Sequence, residues 1–338
     1  MKRRLFRRAL ASLMLPLLCS LLLPGLSARA TDPVPEEDLD ALSRGAEMGR
    51  YDLSAMPERY KLPATERGRI ISLTYDNAWE ETLCYVYLPY GYHPDNRYDI
   101  VYLMHGGGGN PGSFLNDARQ NQMFANMVDH LIEEGTIRPL ILVAPTFYRF
   151  GHTGRSLQDS WDDLNAFSQG EFLDDLVPFV EGRFSTYAET TDEASLRASR
   201  THRAFSGFSL GAVTTWEIFI NHMDIVAIYL PISGDSWHLG RGAGAQRPGE
   251  TAQLLADTVT DAGLTADDVL VYGFTGTKDG MEYQMSSQIN AMRGIGDIFG
   301  DNLIYRVRED AQHLLVDMDE HLFYMFQDVF PAPPKMHP

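Results

Sequence analysis

Cysteine is scarce in this chain of 338 residues: there are two, and only Cys84 lies beyond the first thirty positions. A single remaining cysteine excludes an intrachain disulfide, a cysteine-based zinc cluster and a cysteine–cysteine redox pair. Cys84 stands in Thr82-Leu83-Cys84-Tyr85-Val86-Tyr87-Leu88, a strand-like run, and reads as a small buried filler. Positive charge is also short, with 28 Lys and Arg against 46 Asp and Glu and a formal net charge of −18. A surface of that sign repels polyphosphates, which argues against nucleic acid and anionic membrane as partners and is compatible with a neutral polysaccharide. There is no internal repeat, no low-complexity segment and no second module such as a carbohydrate-binding domain. No His-x-x-x-His or His-Glu-x-x-His spacing occurs near the candidate site described below, so neither a metal nor another cofactor is expected.

The N-terminus is organised differently from the rest. Met1 to Arg8 is a cationic head, Leu10 to Leu26 is leucine-rich, and Ala28-Arg29-Ala30 has the small-x-small form of a cleavage site. Residues 1–30 therefore read as a secretory signal peptide. Pro16 and Pro24 interrupt an apolar stretch already short for a membrane span. Arg3-Arg4-Leu5-Phe6 has some twin-arginine character, but the strongly apolar core favours the general secretory route. Leu18 before Cys19 argues against lipid attachment. Cleavage would leave 22 basic residues against 46 acidic ones, a formal charge of −24, and a protein exported without a membrane anchor.

Residues 31–66 are acidic and punctuated by proline, and read as a linker or an arm packed on the domain. From residue 67 to residue 332 the pattern is that of one α/β domain. Ile70–Tyr75 and Leu83–Leu88 read as early antiparallel strands, and Ile100–Met104 as a strand covered on both faces. Strands and helices then alternate: a helix over 124–134, a strand over 140–144 and an amphipathic helix over 171–184. Next come a strand into residue 208, a strand over 225–232, a helix over 252–262 and a strand over 269–274. A helix over 282–292, a strand over 302–307 and a final helix over 315–329 complete the series. That alternation implies right-handed crossovers and a mostly parallel central sheet with helices on both faces.

Gly207-Phe208-Ser209-Leu210-Gly211 falls between a strand-like run and a helix-like run, the context a nucleophile elbow requires. The turn is tight enough that glycine is needed two positions either side of the serine, and Ser209 would sit strained at a helix N-terminus. A serine hydroxyl needs a base, a carboxylate to orient the base, and donors for the developing oxyanion. His313, in the loop after the strand over 302–307, is the candidate base, whereas His321 falls inside a helix pattern and His337 in the tail. Asp279, ending Gly276-Thr277-Lys278-Asp279 after a strand, is the candidate acid, and Asp235 after Ile232-Ser233-Gly234 is its rival. Leu210 would supply one oxyanion amide. His105-Gly106-Gly107-Gly108-Gly109 would supply the second, from Gly107 or Gly106, with His105 itself structural. No Gly-Lys-Ser/Thr follows the glycines, which excludes a phosphate cradle. The order serine, acid, histidine, each at a strand end, reads as a serine hydrolase.

Val86-Tyr87-Leu88-Pro89-Tyr90-Gly91-Tyr92, Tyr102 to Asn110, His202 to Trp216 and Ile232 to Trp237 together resemble carbohydrate esterase family 1. This group includes feruloyl esterases and acetyl xylan esterases that accompany bacterial xylanases. The resemblance covers roughly residues 67–330. It implies an α/β-hydrolase fold, cofactor-free cleavage of ester substituents on plant xylan, and the triad Ser209, Asp279 and His313. The chain departs from the family pattern at Leu210, where methionine is common, at Ala311-Gln312-His313 in place of glycine-x-histidine, and at Leu314-Leu315, where tryptophan is frequent. A feruloyl esterase acting on feruloylated xylan is the expectation, with acetylated xylan or another small acyl ester as the alternative. Ferulate is a flat phenol that an aromatic slot would hold. Trp237 is its candidate wall, with Phe147, Tyr148, Phe150 and Trp161 in the loops after Pro145, unless these aromatics serve ordinary packing. Asp235, if not the acid, would lie beside the substrate.

Overall fold

Runs such as Ile100–Met104 and Ala204–Phe208, apolar at nearly every position, suit only strands buried on both faces, and the sheet is built around them. The computed structural model describes residues 49–51, 53–116, 123–149, 152 and 156–333, with side chains from residue 53 onward. The predicted leader, most of the arm and Phe150 lie outside the described residues. The strands are β1 (Gly49–Tyr51), β2 (Arg69–Asp76), β3 (Glu81–Leu88), β4 (Asp99–Met104), β5 (Leu140–Ala144), β6 (Arg203–Phe208), β7 (Ile228–Ile232), β8 (Leu270–Gly276) and β9 (Leu303–Arg308). Among the described residues they form one sheet in the order β1-β9-β8-β7-β6-β4-β5-β3-β2. β2 and β3 pair antiparallel, as does β3 with β5, and every other pairing is parallel. This is the mostly parallel α/β-hydrolase sheet that the alternation implied.

The helices are α1 (Met123–Glu133), α2 (Leu157–Ala166), α3 (Val177–Glu181), α4 (Glu193–Ala198), α5 (Leu210–Asn221), α6 (Ala243–Gln246), α7 (Pro248–Asp261), α8 (Glu282–Arg293) and α9 (Leu315–Val329). Successive strand side chains point to opposite faces and so feed two cores. Tyr102, Phe205 and Tyr229 pack on one face with Trp216 and Phe219 of α5 and with α7 and α8. Val101, Leu103, Ala204 and Leu230 pack on the other with α1 and α9. Residues 210–219 of α5 are buried on every side, the charged Glu217 among them, as befits a helix enclosed between the sheet and other helices.

Three expectations change. The helix expected over 171–184 begins earlier: α2 runs into a π-helical stretch, Phe167–Leu176, which continues into α3. Phe167 and Phe172, five residues apart, meet with ring centroids at 6.0 Å, a spacing that fits a π turn rather than an α turn. The strand expected from Ile225 begins at Ile228, because Ile225 N–H and Val226 N–H bond back to the His222 carbonyl at 3.1 and 3.0 Å. Trp161, expected in a loop after Pro145, lies on α2. Of the two readings of residues 31–66, the described part takes that of an arm packed on the domain. β1 extends the sheet beside β9, and Met56 and Tyr60 are buried, with the Tyr60 hydroxyl donating to Glu134 at 2.6 Å.

Candidate active site

β6 delivers the chain to Ser209 and α5 carries it away at once, which forces Ser209 to φ 59° and ψ −117°. A Cβ at Gly207 would lie 2.1 Å from the Gly211 carbonyl oxygen, and one at Gly211 would lie 2.1 Å from the Met104 oxygen. Both glycines are required by contact, not by taste for a flexible chain. A side chain at Gly234 would meet the Ser209 carbonyl at 2.7 Å. The amides of Ala212 and Val213 bond to that same carbonyl at 2.9 and 3.1 Å, while Leu210 N–H, at the first helical position, has no carbonyl within its own helix to pair with.

The glycine loop leaves β4, the parallel neighbour of β6, and turns back immediately. Gly109 N–H closes the turn on the Gly106 carbonyl at 3.0 Å, and Gly108, at φ 74°, takes the left-handed position that glycine permits. Gly108 N–H donates to the Tyr148 hydroxyl at 2.9 Å. The amides of Gly108 and Gly109 are thus engaged, which leaves those of Gly106 and Gly107 without a protein acceptor among the described residues. A Cβ on Gly106 would come within 3.2 Å of Ser209 Cβ, and one on Gly107 within 3.1 Å of Leu210 Cδ1, so the loop lies directly against the elbow. His105 is buried beneath it. Its Nδ1–H donates to the Gly106 carbonyl at 2.8 Å and its Nε2 meets Thr146 Oγ1 at 2.7 Å, while burial lowers its pKa to about 4 and keeps it neutral.

β8 and β9 end side by side, and the two loops that follow them interlock. A Cβ on Gly276 would lie 2.2 Å from the Ala311 oxygen, Lys278 N–H donates to that oxygen at 3.0 Å, and Asp310 N–H donates to Thr277 Oγ1 at 2.9 Å. The interlock brings the Asp279 carboxylate to His313 Nδ1, at 2.9 Å from Oδ1 and 3.0 Å from Oδ2. Burial pushes the Asp279 carboxyl up, but hydrogen bonds from His313, from Met281 N–H and from Ser233 outweigh it and hold the group below the usual carboxylate range. Nδ1 must carry a hydrogen to make this contact, which leaves Nε2 as the unprotonated, accepting nitrogen of the neutral ring. The ring lies over Phe208, the residue before Ser209, with centroids 4.5 Å apart. Ser209 and His313 make no direct hydrogen bond here, a contact that often closes only once substrate is bound.

His321 does not take part in this arrangement. It is buried in α9 against Phe274, with ring centroids at 4.2 Å, and burial together with the nearby Arg308 charge lowers its pKa to about 3. His337 lies outside the described residues.

The expected substrate wall divides. Trp237 lines a cleft of about 390 Å³ with Leu157, Gln158, Trp161, Gly240 and Arg241. Asp235, expected beside the substrate, is buried under that wall: it accepts from the Trp237 indole N–H at 2.9 Å and from Gly244 N–H at 2.9 Å. Both carboxylate oxygens are occupied, so Asp235 acts through Trp237. Phe147 and Tyr148 are likewise buried, stacked near His105 at centroid distances of 4.8 and 5.5 Å, and belong to the support of the glycine loop. Two further supports were missed. Ser233, at φ 55°, contacts Thr275 and Asp279, and Glu217 of α5 pairs with His238 Nδ1 at 3.0 Å. A polar residue directly after β7 was the available signal for the first. Nothing in the local sequence marks the second.

Residues 79–234 match the family described as "Putative esterase". The chain is 36% identical over 264 residues, 76% of its length, to endo-1,4-beta-xylanase Y of Acetivibrio thermocellus, of which the match covers 23%. It is 26% identical over 161 residues, 45% of its length, to an endo-1,4-beta-xylanase/feruloyl esterase of Xylanibacter ruminicola, of which 19% is covered. The chain thus spans about a fifth to a quarter of these curated relatives. Among solved structures, a serine-to-alanine variant of the feruloyl esterase module from Clostridium thermocellum, complexed with sinapinate, is 33% identical with a TM-score of 0.72, covering 86% of this chain and 98% of the module. A ferulic acid esterase from Anaeromyces mucronatus, 17% identical with a TM-score of 0.63 over 83% of this chain and 97% of that one, shares the fold.

Proposed function

Because the chain belongs to carbohydrate esterase family 1, we propose that it is a serine ester hydrolase that removes feruloyl groups from feruloylated xylan or its oligosaccharides. The observation that carries the mechanism is the two-oxygen contact of Asp279 with His313, beside the strained Ser209. Asp279 fixes the ring so that Nε2 accepts the Ser209 proton as Oγ attacks the ester carbonyl. The carbonyl oxygen becomes an oxyanion and takes hydrogen bonds from Leu210 N–H and from an amide of Gly106 or Gly107. His313 then returns the proton to the departing sugar oxygen, leaving an acyl-enzyme on Ser209. Water attacks that ester with His313 again as base, and ferulate leaves. The indole of Trp237, fixed by Asp235, supplies a flat apolar face for the cinnamoyl ring. The leader pattern over 1–30 supports export to meet a polymeric substrate outside the cytoplasm.

The test is a comparison of methyl ferulate with p-nitrophenyl acetate on the purified protein. A higher kcat/KM for methyl ferulate, narrowed by Trp237→Ala, is the expected result. Equal or better cleavage of acetyl esters, insensitive to Trp237→Ala, would instead assign the chain to acetyl release.

A further inference from the structure

The cleft beside Trp237 holds more than an acyl ring would use. Trp161 and Trp237 stand with ring centroids 6.2 Å apart and planes tilted by 40°. At that spacing the two indoles pack on each other, so no third ring fits between them. They form one angled wall that carries the apolar surface from Trp237 across to α2. Its volume of about 390 Å³ falls within the range of small-molecule sites.

Two polar groups face the same space. Gln158 donates one amide hydrogen to Asp162 at 2.8 Å, which fixes the amide and leaves its carbonyl as an acceptor. Arg241 holds its guanidinium 5.7 Å from the Trp237 ring centroid. In a chain so rich in carboxylates, arginines find partners: Arg59, Arg138, Arg197, Arg203 and Arg308 all sit in ion pairs. Among the described residues no carboxylate lies within ion-pair distance of Arg241. Its contact with the indole is a weak one at an exposed position, so the charge stays available. A feruloyl ester has no anionic group to use it.

Resting on the proposed esterase reading, we propose that this cleft is a subsite for a uronic acid carried by the glycan. The apolar face of the sugar ring lies on the Trp161 part of the wall, beyond the part of Trp237 that the acyl ring uses, its carboxylate pairs with Arg241, and a hydroxyl donates to Gln158. The substrate class is then a feruloylated xylan fragment that also bears a glucuronic acid substituent. The net negative charge of the protein does not forbid this, because at physiological ionic strength charges beyond about 8 Å are screened and the local cation decides.

The experiment titrates intrinsic tryptophan fluorescence with unesterified xylotetraose and with the same oligosaccharide bearing one glucuronic acid. Tighter binding of the acidic oligosaccharide by about five- to tenfold is expected, the scale of one charge-assisted hydrogen bond. Arg241→Gln removes that preference, raising salt shrinks it, and Trp161→Ala weakens both ligands. Methyl ferulate carries no carboxylate, so Arg241→Gln should cost less in its kcat/KM than in the affinity for the acidic oligosaccharide. Equal affinity for the two oligosaccharides, or a preference that survives Arg241→Gln, overturns the subsite. Failure to hydrolyse methyl ferulate overturns the esterase reading instead, and the binding titration stands apart from it.

Discussion

Ser209 is held at φ 59° by neighbours and not by its own side chain, because Gly207, Gly211 and Gly234 each leave room that another backbone fills. Ser209→Ala is therefore expected to fold normally and to lose about four orders of magnitude in kcat. Retention of a tenth of the activity with an unchanged melting curve would remove Ser209 from the mechanism. Asp279→Asn presents an amide hydrogen to His313 Nδ1 and turns the ring to the wrong tautomer, with an expected cost of about 10²–10⁴ in kcat. Asp235→Asn disturbs the seat of Trp237 instead, and its effect should fall on KM more than on kcat. His321→Ala leaves a cavity under Phe274, so it should cost about 2–4 kcal/mol of stability while turnover changes little. A thermal melt and a Michaelis curve on each variant separate these outcomes, and the reverse pattern for His321 and His313 would move the base. That Asp279 and His313 end together was legible in the sequence, since both close loops after apolar runs at the end of a parallel sheet. The burial of Asp235 was not legible, because its partners are an indole two residues on and the amide of Gly244.

At the scale of elements, the last helix and the central strands were read closely from sequence. The last helix was expected over 315–329 and α9 occupies Leu315–Val329. Short or unusual ones were not. β1 is three residues long and is defined only by its pairing with β9, a partner about 250 residues away. The π-helical stretch hides because an α-period template spans it without a gap. The loop between β7 and α6 depends on such distant partners as well: Ser236 N–H donates to Gln288 at 2.7 Å, and His238 pairs with the buried Glu217. The bond to Glu217 raises the His238 pKa above its ordinary value, against a smaller opposing effect of burial. A raised folded pKa means the pair stabilises fully below the unfolded value of about 6.5 and fades as pH climbs through the folded one. His238→Gln should therefore lower Tm more at about pH 5.5 than at about pH 9. Equal losses at both would mean that the pair contributes as a neutral hydrogen bond.

Across the whole molecule, the described part of the arm is joined to the domain: β1 pairs with β9. Met56 and Tyr60 are buried against the α1–α9 face, and burying each is worth about 1.5–3 kcal/mol. A chain beginning at residue 67 should melt several degrees lower, and an unchanged Tm would make the arm a passive tail. Among the described residues no cluster of three His, Cys, Asp or Glu side chains is arranged to hold a metal ion. Activity is expected to survive dialysis against EDTA, whereas loss rescued by a divalent cation would contradict the serine mechanism.

Tyr148 touches two parts of the protein that a selection experiment would treat as separate. Its hydroxyl accepts from Gly108 in the glycine loop and lies 3.2 Å from Ser160 Oγ in α2, the residue next to Trp161. Substitutions that reshape the wall at Trp161 should thus be epistatic with substitutions in the glycine loop. A double-mutant cycle between Trp161→Ala and Tyr148→Phe, read in log kcat, would measure that coupling. If it is strong, the evolutionary routes to a new glycan preference are few. Each step that widens the wall would slow the chemistry until a second, compensating change restores the loop, and the order of the two changes would decide which lineages survive.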